Sequence, residues 1–173
     1  MKRGWKIGES MPEAQRIRKE FDPRISTADS KGIPYNVRYK RVREATGKSP
    51  QDIAALVGMP IHANYDLEEC EGELNRQASI GDLSKLASVL GIPTRLIFDD
   101  EDEKQPSILP NELCARIKEH LHANRMSVTE FEDRVGFVIE PSLRDPSMVL
   151  NWNVDCLRFV CAELGVDWRL ALS

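Results

Sequence analysis

One order of helix signals occurs twice in this chain, and it constrains the fold more than any single motif. Ser49, Pro50 and Asp52 supply an N-cap, a first-turn proline and an acidic third residue, and Gly58 offers a left-handed stop. Ser127 and Glu130 repeat the start and Gly136 repeats the stop, each Ser and Gly recurring 78 residues later. Further on, Leu83 and Leu157, Leu90 and Leu164, and Gly91 and Gly165 are each 74 residues apart. Two offsets differing by four place a loop four residues shorter in the second copy.

Apolar spacing fills in the helices between these signals. Tyr35, Tyr39 and Val42 predict a first helix closed by Gly47, and Ile53, Ala54 and Val57 are the inner stripe of the second. A third covers about Ile61 to Cys70, with Leu67 inward. Ser79 and Asp82 open another, carrying Ile80, Leu83, Leu86, Ala87 and Leu90 and closed by Gly91, and a last turn holds Ile97 and Phe98. In the second copy Leu113, Ile117 and Leu121 make the first helix, and Phe131 and Val135 line the next. Pro141 and Pro146 forbid a regular helix from Phe137 to Met148. No segment alternates with period two, so the expected fold class is all-α, built as two tandem helical units.

Charge divides the chain in the same places. Residues 1–34 carry eight basic and five acidic side chains and hold Pro12, Pro23 and Pro34, which predicts a partly ordered basic arm with room for one short helix, Glu13 to Phe21. Residues 35–98 are balanced at eight and eight and form the first unit. Residues 99–110 concentrate Asp99, Asp100, Glu101, Asp102 and Glu103 against Lys104 alone and read as a solvated acidic linker exposed between the units. Residues 111–173 form the second unit.

Several function classes drop out. No apolar stretch approaches the roughly 20 residues that span a bilayer, and no apolar signal core follows Met1, so a cytoplasmic protein without a membrane partner is expected. Cys70, Cys114, Cys156 and Cys161 show no metal-ligand spacing and read as reduced core thiols; His62, His120 and His122 are too scattered for a metal site. No P-loop, nucleophile elbow or clustered acid–base pair is present, so neither catalysis nor a cofactor is expected. Trp152 and Trp168 are expected in the core of the second unit, and Trp5 as an anchor for the arm.

Gly47, Ser49, Asp52, Ile53, Ala54, Gly58 and Glu68, followed by Leu83, Leu86, Ala87, Leu90, Gly91 and Ile92, resemble the Cro/lambda-repressor-type (xenobiotic-response-element-like) helix-turn-helix family over residues 36–98. Ser127, Phe131, Gly136, Leu157, Leu164, Gly165 and Val166 resemble it more weakly over 111–172. The resemblance implies two tandem five-helix lambda-repressor-like units, the second degenerate, in a bacterial or phage transcriptional regulator. It implies that the third helix of the first unit, starting at Pro60 and Ile61, enters the major groove of double-stranded DNA. Ile61, His62, Asn64, Tyr65 and Gln51 are then the candidates near the bases, with an Asn64–adenine pair the best of the polar contacts. Lys40, Arg41, Lys48 and the arm cations are the candidates for phosphates. Arg43 and Glu68 stand where the family often pairs a first-helix arginine with a third-helix carboxylate; the same register in the second unit holds Leu121 and Pro146, which points to a lost reading helix there. No segment follows the second unit, so no separate effector-binding domain is expected, and a homodimer is left open.

The residues also depart from that pattern. No Lys or Arg occurs from Met59 to Asn75, while Asp66, Glu68, Glu69, Glu71 and Glu73 add five carboxylates. Phosphate neutralisation supplies most nonspecific affinity, so this acidity opposes DNA binding. Pro50 replaces a glutamine common among relatives, Asn64 replaces a usually buried apolar residue, and the Gly72–Ala78 loop is long. An alternative therefore stands beside DNA: a protein-interaction module (an antitoxin, immunity protein or inhibitor) that offers an acidic face to a basic protein partner.

Overall fold

The capping signals predicted from the sequence fix the starts and stops of the helices. The structure is a computed structural model, and it describes residues 26–29, 31–99 and 106–172. Helices α1 (Tyr35–Ala45), α2 (Pro50–Val57), α3 (Ile61–Glu69), α4 (Glu73–Arg76) and α5 (Ile80–Leu90) are followed by a 3-10 turn at Thr94–Ile97. Then come α6 (Pro110–Ala123), α7 (Val128–Val135), α8 (Glu140–Arg144), a 3-10 segment at Pro146–Asn151, α9 (Val154–Glu163) and a last 3-10 turn at Trp168–Ala171. The described residues are all-α, joined by two isolated β-bridges.

Both predicted capping boxes form. Ser49 Oγ accepts from the Asp52 amide at 3.1 Å while the Asp52 carboxylate takes the Ser49 amide at 2.9 Å. Ser127 and Glu130 do the same at 3.2 and 2.7 Å. These bonds satisfy amides that a helix start leaves without partners. Gly58 and Gly136 end their helices at φ of 73° and 76°, where a Cβ would be strained. The second register holds as well. Asn153 caps α9 as Ser79 caps α5, 74 residues earlier, and the 3-10 turns at Thr94–Ile97 and Trp168–Ala171 keep the same spacing.

Across the expected boundary, the buried residues of both halves form one contiguous core. The Ile80 amide donates to the Trp152 carbonyl at 2.8 Å, and the two N-caps, Ser79 and Asn153, meet in an antiparallel bridge. Tyr35, Phe98 and Trp168 pack edge to face, with centroids 5.1 Å (Tyr35–Phe98), 6.5 Å (Tyr35–Trp168) and 5.3 Å (Phe98–Trp168) apart. Trp168, expected inside the second unit, thus joins the two halves; Trp152 is buried and donates its indole N–H to Ser142 Oγ at 2.9 Å.

The stretch expected as a solvated linker is partly corrected. Asp99 is buried and ion-paired to Arg169, and Ile108 is buried with its amide on the Leu170 carbonyl at 2.7 Å. Both ends of the stretch find partners in the last 3-10 turn, which is why they are not in water. Residues 100–105 lie outside the described residues. So do 1–25, with the predicted helix Glu13 to Phe21, Trp5 and most arm cations. The visible end of the arm packs down: Asp29 pairs with Arg38 at 3.3 Å, and the Ser26 carbonyl accepts from buried Arg158. Cys114, Cys156 and Cys161 are buried and free, whereas Cys70, expected in the core, is exposed at the end of α3.

Candidate functional site

Helix α3 is seated by a buried polar network at its junction with α1 and α2. Arg43 Nε and Nη2 donate to the two Glu68 carboxylate oxygens at 2.6 and 2.8 Å, a bidentate pair whose side chains are almost wholly buried. Arg43 Nη1 reaches the Lys48 carbonyl at 2.7 Å, which ties the loop before α2 into the same cluster. The Tyr39 hydroxyl donates to Asn64 Oδ1 at 2.7 Å, and Asn64 Nδ2 approaches Glu68 Oε1 and the Pro50 carbonyl, both at 3.3 Å. Burial, reinforced by the nearby Glu68 charge, holds the Tyr39 phenol far above its usual range, so it stays a donor. The hydrogen bond to Glu68 holds Arg43 protonated.

This network corrects one candidate. Asn64 has 0% exposure, and its amide is committed to Tyr39, Pro50 and Glu68. It cannot also meet an adenine edge. Asn64 instead serves packing: its hydrogen bonds position α3 against α1 and α2.

The other candidates divide into two places. Ile61 and Tyr65 lie one turn apart on the outward face of α3, 43% and 40% exposed, and His62 is exposed beside them. Gln51 on α2 donates its amide to the Tyr65 hydroxyl at 2.8 Å, so the two helices present Gln51, Ile61, His62 and Tyr65 as one patch. Lys40 is elsewhere. It bonds Glu69 at 2.6 Å, at the far end of α3, roughly 12 Å along the axis from Ile61. That bond holds the Lys40 ammonium above its usual range. Arg41 is exposed on α1 and Lys48 is half-buried before α2.

Helix α2 also exposes an apolar side chain that the sequence did not single out. Leu56 is 61% exposed on α2, off the Ile53–Ala54–Val57 stripe, and the helical period alone would have placed it outward. Asp66 and Glu69 are the exposed carboxylates of α3. Chemically, the patch offers an imidazole, a phenol, a carboxamide and aliphatic contact, with α3 itself carrying no cation. Among the described residues, no group of three His, Cys, Asp or Glu side chains is placed to hold a metal ion, and no helix is long and apolar enough to cross a membrane. No family model, curated protein or solved structure matches this chain.

Proposed function

We propose that the protein binds double-stranded DNA through the outward face of α3, as a helix-turn-helix regulator whose first half reads and whose second half keeps the scaffold without the reading helix. One observation carries this reading. The Arg43–Glu68 pair and the Asn64 network fix α3 across α1 and α2 while leaving Gln51, Ile61, His62 and Tyr65 exposed together at its N-terminal end. A groove-reading helix needs that seating, because base contacts discriminate only when the helix cannot shift. The polar reading falls to His62, Tyr65 and Gln51, and contact with a thymine methyl falls to Ile61. Phosphate attraction comes from Arg41, Lys48 and the cations of residues 1–25.

A second reading is favoured by the surface chemistry of the same helix. Exposed Ile61 and Tyr65 beside exposed Asp66 make an apolar face with an acidic edge, which suits a basic protein partner. The two readings separate in a salt titration of the full chain against random duplex DNA. With about four phosphates neutralised, log affinity falls against log salt with a slope of about −4. Removal of residues 2–19 flattens the slope and weakens every duplex alike, since phosphate contacts carry no sequence information. No binding at low salt would reject the DNA reading and leave the protein partner.

A further inference from the structure

The far end of α3 is held by the second half of the chain. Helix α3 starts without a side-chain cap, spans nine residues and ends at Cys70 in extended backbone, so tertiary partners supply most of its hold. The chain then turns through Gly72 into α4, a single turn that also lacks a side-chain cap at its start. The Cys70 amide donates to the Asp66 carbonyl at 3.0 Å and the Glu73 amide to the Cys70 carbonyl at 3.2 Å, which joins the two helices in one corner. A shift of α4 therefore reaches α3.

Asn153 and Arg158 of the second half both reach that corner. Asn153 bridges two helix ends. Its Oδ1 accepts from the Cys156 amide at 2.8 Å, capping α9, and its Nδ2 donates to the Arg76 carbonyl at 2.9 Å, closing α4. A cap needs only the first bond: Ser79, 74 residues earlier, caps α5 through a hydroxyl that accepts from the Asp82 amide at 3.0 Å. Arg158, one turn into α9 and 3% exposed, donates to the Ser26 carbonyl, which also takes the Asn75 side-chain amide at 3.4 Å. Its guanidinium lies over the Trp168 ring, 5.5 Å from the centroid, which fixes its aim. Beside Ser26, the Thr27 hydroxyl donates to Glu71, and a Cβ at Gly72 would lie 3.5 Å from the Thr27 methyl. Helix α9 thus holds α4 directly through Asn153 and again through residues 26 and 27.

We propose that Asn153 is a positioning residue for α3: the second half braces the α3–α4 corner and so sets how precisely the exposed end of α3 meets a duplex. The inference rests on the DNA reading above and gives the second half a part in it without a groove-reading helix. Neither Asn153 nor Arg158 needs to touch DNA. The polar atoms of Asn153 are committed to Cys156 and Arg76, and Arg158 is buried. A base contact discriminates only when the helix carrying it is held to within about 0.5 Å, so a loosened corner costs discrimination before it costs phosphate attraction.

Asn153→Ser keeps a cap for α9 and removes the donor to Arg76, so the fold is retained. Ser127→Ala, which removes a cap from α7, is the control. Amide hydrogen exchange in the full chain is expected to quicken about fivefold at Cys70 and residues 75–77 in Asn153→Ser, the factor that one hydrogen bond is worth, and to stay unchanged in α2. For binding, the probe is a duplex selected by the wild type from a randomised pool. Its affinity relative to the unselected pool is expected to fall about fivefold in Asn153→Ser and to stay level in Ser127→Ala, although both variants lose stability. A merely structural role predicts the same ratio in both. Unchanged exchange at the corner would overturn the proposal, as would quickened exchange beside an unchanged ratio, or an equal fall in the control. A wild type that selects no duplex over the pool would reject the DNA reading instead. Quickened exchange at the corner would then still support the brace, and unchanged exchange would overturn it.

Discussion

At the scale of single residues, the Arg43–Glu68 pair is the interaction whose loss has the clearest consequence. Glu68 is 3% exposed, and among the described residues its carboxylate is hydrogen-bonded by Arg43 and the Asn64 amide. Arg43→Leu leaves that charge buried and is expected to destabilise the protein by about 3 kcal/mol in chemical denaturation. Adding Glu68→Leu is expected to recover part of the loss; a single variant as stable as the wild type would show that the carboxylate reaches water. The pairing was legible because both residues stood in the register of a known motif. The partner of Asn64 was not, because hydrogen bonds between distant helices leave no local period in a sequence. Thiol chemistry gives a second test. Burial pushes Cys156 and Cys161 up to about 12 and raises Cys114, whereas Cys70 is exposed. A native-state thiol titration is expected to find Cys70 reacting fast and the buried three only on unfolding; rapid reaction of all four would contradict the described core.

At the scale of elements, the caps set the boundaries and also impose a pH dependence. Hydrogen bonds from Ser49 and Ser127 hold the carboxyls of Asp52 and Glu130 below their ordinary values of 3.8 and 4.5. A carboxylate depressed in the folded state contributes its full stability above its unfolded pKa and loses it as pH falls through the folded one. The stability difference between wild type and Ser49→Ala with Ser127→Ala is therefore expected to be constant near neutrality and to shrink as pH drops below about 4.5. A difference that grows in acid would contradict the capping boxes. Where the chain leaves standard geometry, as Arg125 does at a φ of 50°, the opposite substitution helps: Arg125→Gly is expected to stabilise by about 1 kcal/mol in thermal denaturation. The caps, the glycine stops and the break before Pro146 were legible because they are local, whereas Pro141, expected to interrupt a helix, instead sits in the first turn of α8. Helix α4 was not legible: Glu73–Arg76 read as a long loop, and it is ordered by distant partners, through burial of Leu74 and Asn75 and the Asn153 side-chain amide on the Arg76 carbonyl.

At the scale of the whole molecule, the periodicities predicted helices in two registers and said nothing of which faces meet. The Tyr35–Phe98–Trp168 cluster, the Ser79–Asn153 bridge and the Asp99–Arg169 pair all cross between the halves. One transition, coincident by tryptophan fluorescence and far-ultraviolet circular dichroism, is expected on heating. Two separated transitions would contradict a shared core. The claim on which the functional account rests is that the exposed end of α3 meets the duplex. Backbone amide shifts in the full chain, titrated with duplex DNA at low salt, test it most directly. Binding is predicted to move the amides of Gln51 and of residues 61–66, leaving those of residues 118–128 in place. Shifts confined to other surfaces, or none at all, would contradict it.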